Sequence, residues 1–70
     1  MKKVLSTISG RVVAVGVAAG DTVEAGDEVF RVESMKMEIP VESEESGRVV
    51  QVLVAKDDEV EEGQELAILE

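Results

Sequence analysis

The sequence contains no cysteine, no histidine, no tryptophan and no tyrosine, and only one phenylalanine and one proline. Without cysteine there can be no disulfide and no thiolate nucleophile, and without histidine no imidazole base. The two absences also remove the usual zinc ligands. Metal-dependent and nucleophilic catalysis of the common kinds are therefore disfavoured, and no catalytic residue or metal ligand is assigned. Basic residues are scarce as well: 7 Lys and Arg stand against 16 Asp and Glu, a formal charge of −9. Such a surface repels a phosphate backbone or an anionic membrane, so no nucleic-acid partner is expected. No apolar run approaches the roughly 18 residues needed to span a bilayer, and Met1-Lys2-Lys3 opens no signal-like stretch. The expectations are a cytoplasmic location without membrane insertion. No Ala/Pro-rich linker is present, which leaves a free-standing protein and a domain of a longer chain equally open.

What remains fits one small domain over residues 1–70, close to the size at which a single core barely outweighs chain entropy. Apolar residues make up 44% of the chain and aromatics 1%. The core must therefore be built from Val, Ile, Leu, Ala and Met around Phe30. Fourteen valines favour strands over helices, and no apolar stripe of helical period is evident.

The dominant feature is an internal repeat. Residues 9–33 align with 46–70 at a constant offset of 37, without a gap and with 14 identities over 25 positions. Identical pairs include Ser9/Ser46, Gly10/Gly47, Arg11/Arg48, Asp21/Asp58, Val23/Val60 and Gly26/Gly63. In each copy Val13, Val15 and Val17, or Val50, Val52 and Val54, recur with period two, the pattern of a strand with one buried face. Turn signals follow at Gly20-Asp21 and Asp57-Asp58, and again at Gly26 and Gly63. The closing segments, Val29 to Val32 and Leu66 to Leu69, do not alternate cleanly, which calls for either cover on both faces or a bulge. A further strand runs through Met37, Ile39 and Val41, with Pro40 best placed on a sheet edge.

Neither copy is large enough to bury its own apolar face, so the two must pack on each other. The expected fold is all-β: a flattened eight-stranded barrel or sandwich with two-fold pseudo-symmetry. The junction between the copies turns sharply near residues 34–37. Stepping 37 positions from Lys36 lands just beyond either terminus, so this turn and the paired chain ends belong at opposite poles.

That geometry singles out Lys36. A lysine in a hairpin turn is usually just solvated surface, but this one is framed by Met35 and Met37, where a bland turn carries Gly, Asn, Asp or Ser. Alternation with Ile39 would tuck Met37 inward as core filler; Met35 has no such explanation. Flexible, polarizable thioethers suit a surface that several partners grip in turn.

The segment Glu33-Ser34-Met35-Lys36-Met37-Glu38, preceded by Gly26-Asp27-Glu28-Val29 and followed by Ser46-Gly47-Arg48-Val49-Val50, resembles the biotinyl domain of biotin carboxyl carrier proteins and biotin-dependent carboxylases. The resemblance covers nearly the whole chain. It implies that Lys36 receives biotin as an amide from a biotin protein ligase. It further implies that the domain then carries CO2 as carboxybiotin between biotin carboxylase and carboxyltransferase subunits or domains, as a mobile carrier and not an enzyme in its own right. Met35 and Met37, with Glu33 and Ser34, are implied to be recognised around the attached cofactor. Lysine side chains in water are protonated at neutral pH, so the ligase must help remove the proton.

Some positions depart from the family. Relatives often have Ala-Pro-Met-Pro-Gly where this chain has Ser6-Thr7-Ile8-Ser9-Gly10, and Ala-Pro where it has Ser43-Glu44; loop rigidity is the property at stake. No insertion separates the first two strands of the first copy, so the protruding thumb of some bacterial acetyl-CoA carboxylase carriers is missing. A decarboxylase, pyruvate, propionyl-CoA or stand-alone context is favoured instead. The nearest alternative is a lipoyl carrier of a 2-oxo acid dehydrogenase-type complex, with lipoate on Lys36, although such domains usually read Asp-Lys-Ala/Val at the turn. A second alternative is an unmodified adaptor barrel, which leaves the Met-Lys-Met turn unexplained. The acidic stretches Glu42 to Glu45 and Asp57 to Glu62 match no calcium loop and read as solvated surface.

Overall fold

The computed structural model describes residues 1–70, and every regular element is a β-strand. The strands are β1 (Lys2–Leu5), β2 (Gly10–Val15), β3 (Thr22–Val23), β4 (Glu28–Ser34), β5 (Met37–Glu42), β6 (Gly47–Val52), β7 (Glu59–Val60) and β8 (Glu65–Leu69). They form two four-stranded antiparallel sheets, ordered β1-β8-β6-β3 and β5-β4-β2-β7. Adding 37 to the residues of the first four strands gives the positions of the last four, and the same shift converts one sheet order into the other. The sequence repeat is thus a structural pseudo-dyad, and the flattened, eight-stranded all-β architecture is as expected.

The symmetry holds down to single hydrogen bonds. The Gly26 N–H donates to the Ser43 carbonyl and the Gly63 N–H to the Ser6 carbonyl, both at 2.8 Å. The Ala18 and Ala55 N–H groups each donate to the carboxylate three residues ahead, Asp21 and Asp58, at 2.8 Å. Gly20, Gly26, Gly63 and Asp57 take positive φ at the turns marked by the sequence. The repeat also reaches further back than residue 9, because Val4/Val41 and Ser6/Ser43 are buried pairs with the same offset. Each of these serine hydroxyls bonds the carbonyl two residues on, Ile8 or Glu45. A buried polar group is thereby satisfied inside its own loop.

Bulges set the inward faces. In β2 the register slips at Val13, and in β6 at the equivalent Val50. The fully buried residues are consequently Val12 and Val49, while Val50 is 41% exposed. This corrects the period-two reading, which placed Val13 and Val50 on the inner face: an extra residue flips the phase of everything before it. The closing strands resolve the same way, with bulges at Val29 and Leu66. Each lets two consecutive residues, Val29 and Phe30 or Leu66 and Ala67, enter the core.

The copies also exchange strands. β7 of the second copy completes the sheet of the first through Gly10↔Val60 and Arg11↔Glu59, and β3 of the first completes the other sheet through Thr22↔Arg48 and Val23↔Gly47. Each exchanged strand contributes one buried valine, Val23 or Val60, to a core of 12 residues centred on Phe30. Pro40 lies on β5, an edge strand, where its missing N–H costs no ladder bond.

Gly10 and Gly47 mark where strands approach most closely. A Cβ on Gly10 would collide with the Glu33 carbonyl oxygen, and one on Gly47 would lie 2.7 Å from that of Glu70. At Gly16 the nearest atom would be 3.4 Å away. Gly10→Ala is therefore expected to lower the unfolding free energy by about 1–3 kcal/mol, the usual range for overpacking. Gly16→Ala should stay within about 0.5 kcal/mol of the parent. Urea titrations of both variants check the contrast, and equal midpoints would contradict it.

Candidate functional site

The β4–β5 hairpin reverses in two residues. Ser34 pairs with Met37, leaving Met35 and Lys36 as the whole loop, with φ of 53° and 64°. Two consecutive positive φ values are what a type I′ turn requires, and its twist matches that of the flanking strands. Gly, Asn or Asp normally fill such positions. Holding other L-residues there costs roughly 1–2 kcal/mol each, and strain of this kind persists only where the surroundings over-determine it. Here six register pairs, from Glu28↔Glu42 to Ser34↔Met37, clamp the two strands. Val32 and Val41 anchor the hairpin in the core.

The hairpin projects beyond that core. Along the inward face of β5, Val41 is buried, Ile39 half-buried and Met37 65% exposed. Met37 does alternate with Ile39, but it is not core filler; its face has lost its cover by the time it reaches the tip. Met35 is 92% exposed. Lys36 is exposed as well, and its Nζ takes part in no ion pair or hydrogen bond.

Its acidic neighbours are engaged elsewhere. Arg11 donates to Glu33 at 3.0 Å and lies 3.4 Å from Asp57. Arg31 reaches Glu28 at 2.8 Å and Glu38 at 3.5 Å. The Arg31 guanidinium is pushed above the usual arginine value, first by its hydrogen bond with Glu28 and then by the charge of that carboxylate. Since arginine is already fully charged at any relevant pH, this adds no pH dependence. Exposed pairs of this kind add little to stability, because solvent screens them. Their effect is to take both flanking carboxylates out of competition for the Lys36 amine. Neither arginine was singled out from the sequence, although the Arg11/Arg48 identity was a signal: Arg48 holds Glu70 as Arg11 holds Glu33.

Of the other lysines, Lys2 donates to the Ser46 carbonyl and Lys3 pairs with Glu65 at 3.1 Å. Lys56 is exposed and unpaired, but it sits in the loop between β6 and β7 with no methionine beside it. The sequence-derived residues Glu33, Ser34, Met35, Lys36 and Met37 thus come together at one end of one hairpin. Two surface depressions, of 310 and 350 Å³, are lined by other residues and do not reach that tip. No group of three acidic side chains converges to hold a metal ion, and no helix is long and apolar enough to cross a membrane. The nucleophile that the tip offers is a primary amine free of any ion pair.

Replacing Met35 by Asn, which tolerates the left-handed region, should raise the unfolding free energy by about 1 kcal/mol. The urea midpoint reads this, and a lower midpoint than that of the parent would contradict the strain at the turn.

Comparison with curated protein sequences gives no match. Among solved structures, the urea carboxylase of Kluyveromyces lactis is 38% identical with a TM-score of 0.88, over 97% of this chain and 6% of that one. A single-chain, multi-domain long-chain acyl-CoA carboxylase is 29% identical with a TM-score of 0.86, over 94% of this chain and 7% of that one. The chain therefore spans less than a tenth of the length of either carboxylase. The family model described as biotin-requiring enzyme matches residues 4–69, from β1 to β8. By that match across its whole fold, the chain belongs to the biotin-requiring enzyme family of biotin/lipoyl domains.

Proposed function

We propose that Lys36 carries covalently attached biotin, and that the domain moves CO2 between the carboxylase and carboxyltransferase sites of a biotin-dependent carboxylase or decarboxylase. The observation that carries this reading is the unpaired Lys36 amine at the tip of a clamped two-residue turn, in a chain of the biotin-requiring family. The likeness to two multi-domain carboxylases supports the class of assembly it serves.

The residues present fit such a modification. Acylation needs an amine nucleophile that a ligase can surround, and the exposed tip supplies one with no ion pair to break. Biotin protein ligase is the proposed partner for loading. Once the ammonium has given up one proton to the ligase, Lys36 Nζ attacks the acyl carbon of activated biotin; the amide C–N bond forms, the bond to the activating group breaks, and that group departs as the nitrogen loses a second proton. One positive charge disappears, taking the formal charge from −9 to −10. When attached, biotin supplies a ureido ring that takes up and releases CO2. The protein's own contribution is placement. Met35 and Met37 offer apolar contact on either side of the arm, and the β4–β5 clamp keeps the tip from folding back. Tethering then turns each delivery into a local encounter with an effective concentration on the order of millimolar.

Coexpression with biotin protein ligase, followed by a streptavidin blot, is expected to label the parent chain and Lys56→Arg but not Lys36→Arg. Label surviving in Lys36→Arg would sink the proposal. Intact mass after parallel coexpression with a lipoate ligase separates the lipoyl alternative: a lipoyl adduct without a biotinyl one would transfer the same site to lipoate.

A further inference from the structure

Oxidisable side chains are almost absent from this protein, and those present are concentrated at the tip. With cysteine, histidine, tryptophan and tyrosine missing, the three methionines are the only readily oxidised groups. Two of the three flank Lys36, at 92% and 65% exposure. The third, Met1, lies at the chain terminus and is 84% exposed. Any peroxide that reacts with this domain therefore reacts at the attachment turn or at the far end of the chain.

We infer that Met35 and Met37 form a reversible oxidation site that gates acylation of Lys36. The thioether sulfur attacks a peroxide oxygen and gives up two electrons; the O–O bond breaks, a sulfoxide forms and the peroxide is reduced to water. A sulfoxide is polar and chiral where the thioether was apolar and pliable. It would sit on both sides of the amine, on a turn that cannot rearrange to hide it, because the loop is only two residues long and its strands are clamped. A partner that closes over the tip would then have to desolvate an S=O group at each flank. Reduction by a dithiol-dependent methionine sulfoxide reductase returns the thioether, with two thiols becoming a disulfide and the oxygen leaving as water.

This inference rests on Lys36 being the acylated residue, and the experiment separates the two claims. The 70-residue chain is treated with hydrogen peroxide, mapped by peptide mass spectrometry, and given to biotin protein ligase beside an untreated sample. Failure of the untreated chain to take biotin overturns the carrier reading itself. Given that it does, the expected result is oxygen on Met35 and Met37 with a fall in acylation rate of about tenfold, the loss of roughly one well-packed apolar contact. Reductase treatment should restore the rate, and a Met35→Leu/Met37→Leu chain should be acylated at a rate peroxide does not change. An unchanged rate in the oxidised parent, or oxidation confined to Met1, overturns the gate. The reductase arm uses only the parent chain, so it decides the question even where the leucine variant is a poor substrate.

Discussion

The shape of the β4–β5 tip depends on two consecutive residues, Met35 and Lys36, being held in left-handed backbone. Neither is a residue that chooses this conformation, so the turn is only as firm as the strands that impose it. Those strands are the most extensively paired in the molecule, and their inner face is fixed by Phe30, Val32 and Val41, all fully buried. The sequence at the turn can therefore serve recognition instead of folding. A methionine and a lysine can occupy places that local energetics would give to glycine or asparagine.

The doubled architecture explains how so small a chain can impose anything. Neither repeat closes its own sheet, since β3 and β7 each complete the sheet of the other copy. The two halves must form together, and the single core they share is built almost wholly from valine, leucine and Phe30. The pseudo-dyad relates the Ser34–Met37 end of the β4–β5 hairpin to the place where Leu69 pairs with Lys2. One position has become a tight turn carrying a free amine; its counterpart is the meeting point of the chain ends. The site is thus the place where the symmetry is broken.

Much of this was legible in the residues. The constant offset of 37 disclosed the dyad, the eight strands and the location of the reversal, because a repeat reports on structure without reference to local propensity. Phase was harder to read. A bulge adds a residue without leaving a residue type as its mark, so Val13 and Val50 looked inward when their neighbours Val12 and Val49 are the buried ones. The doublets Val12-Val13 and Val49-Val50 were the available clue. Strand exchange left almost no trace, since β3 and β7 contain two residues each. The symmetry put the reversal near Lys36, and the structure has Met35 and Lys36 as its two-residue loop. The inward reading of Met37 failed because alternation gives a direction but not the distance at which the core ends.

In the function proposed for this member of the biotin-requiring family, the tip supplies an amine to be acylated and a turn stiff enough to hold the modified arm away from its own surface. The pairing of Glu33 with Arg11 and of Glu38 with Arg31 completes the picture by leaving that amine uncontested. The most direct test is peptide mapping of the folded chain after brief exposure to biotin protein ligase. The account predicts one biotinyl group, on Lys36, with Lys2, Lys3 and Lys56 untouched; label on Lys56, or spread among the lysines, would contradict it.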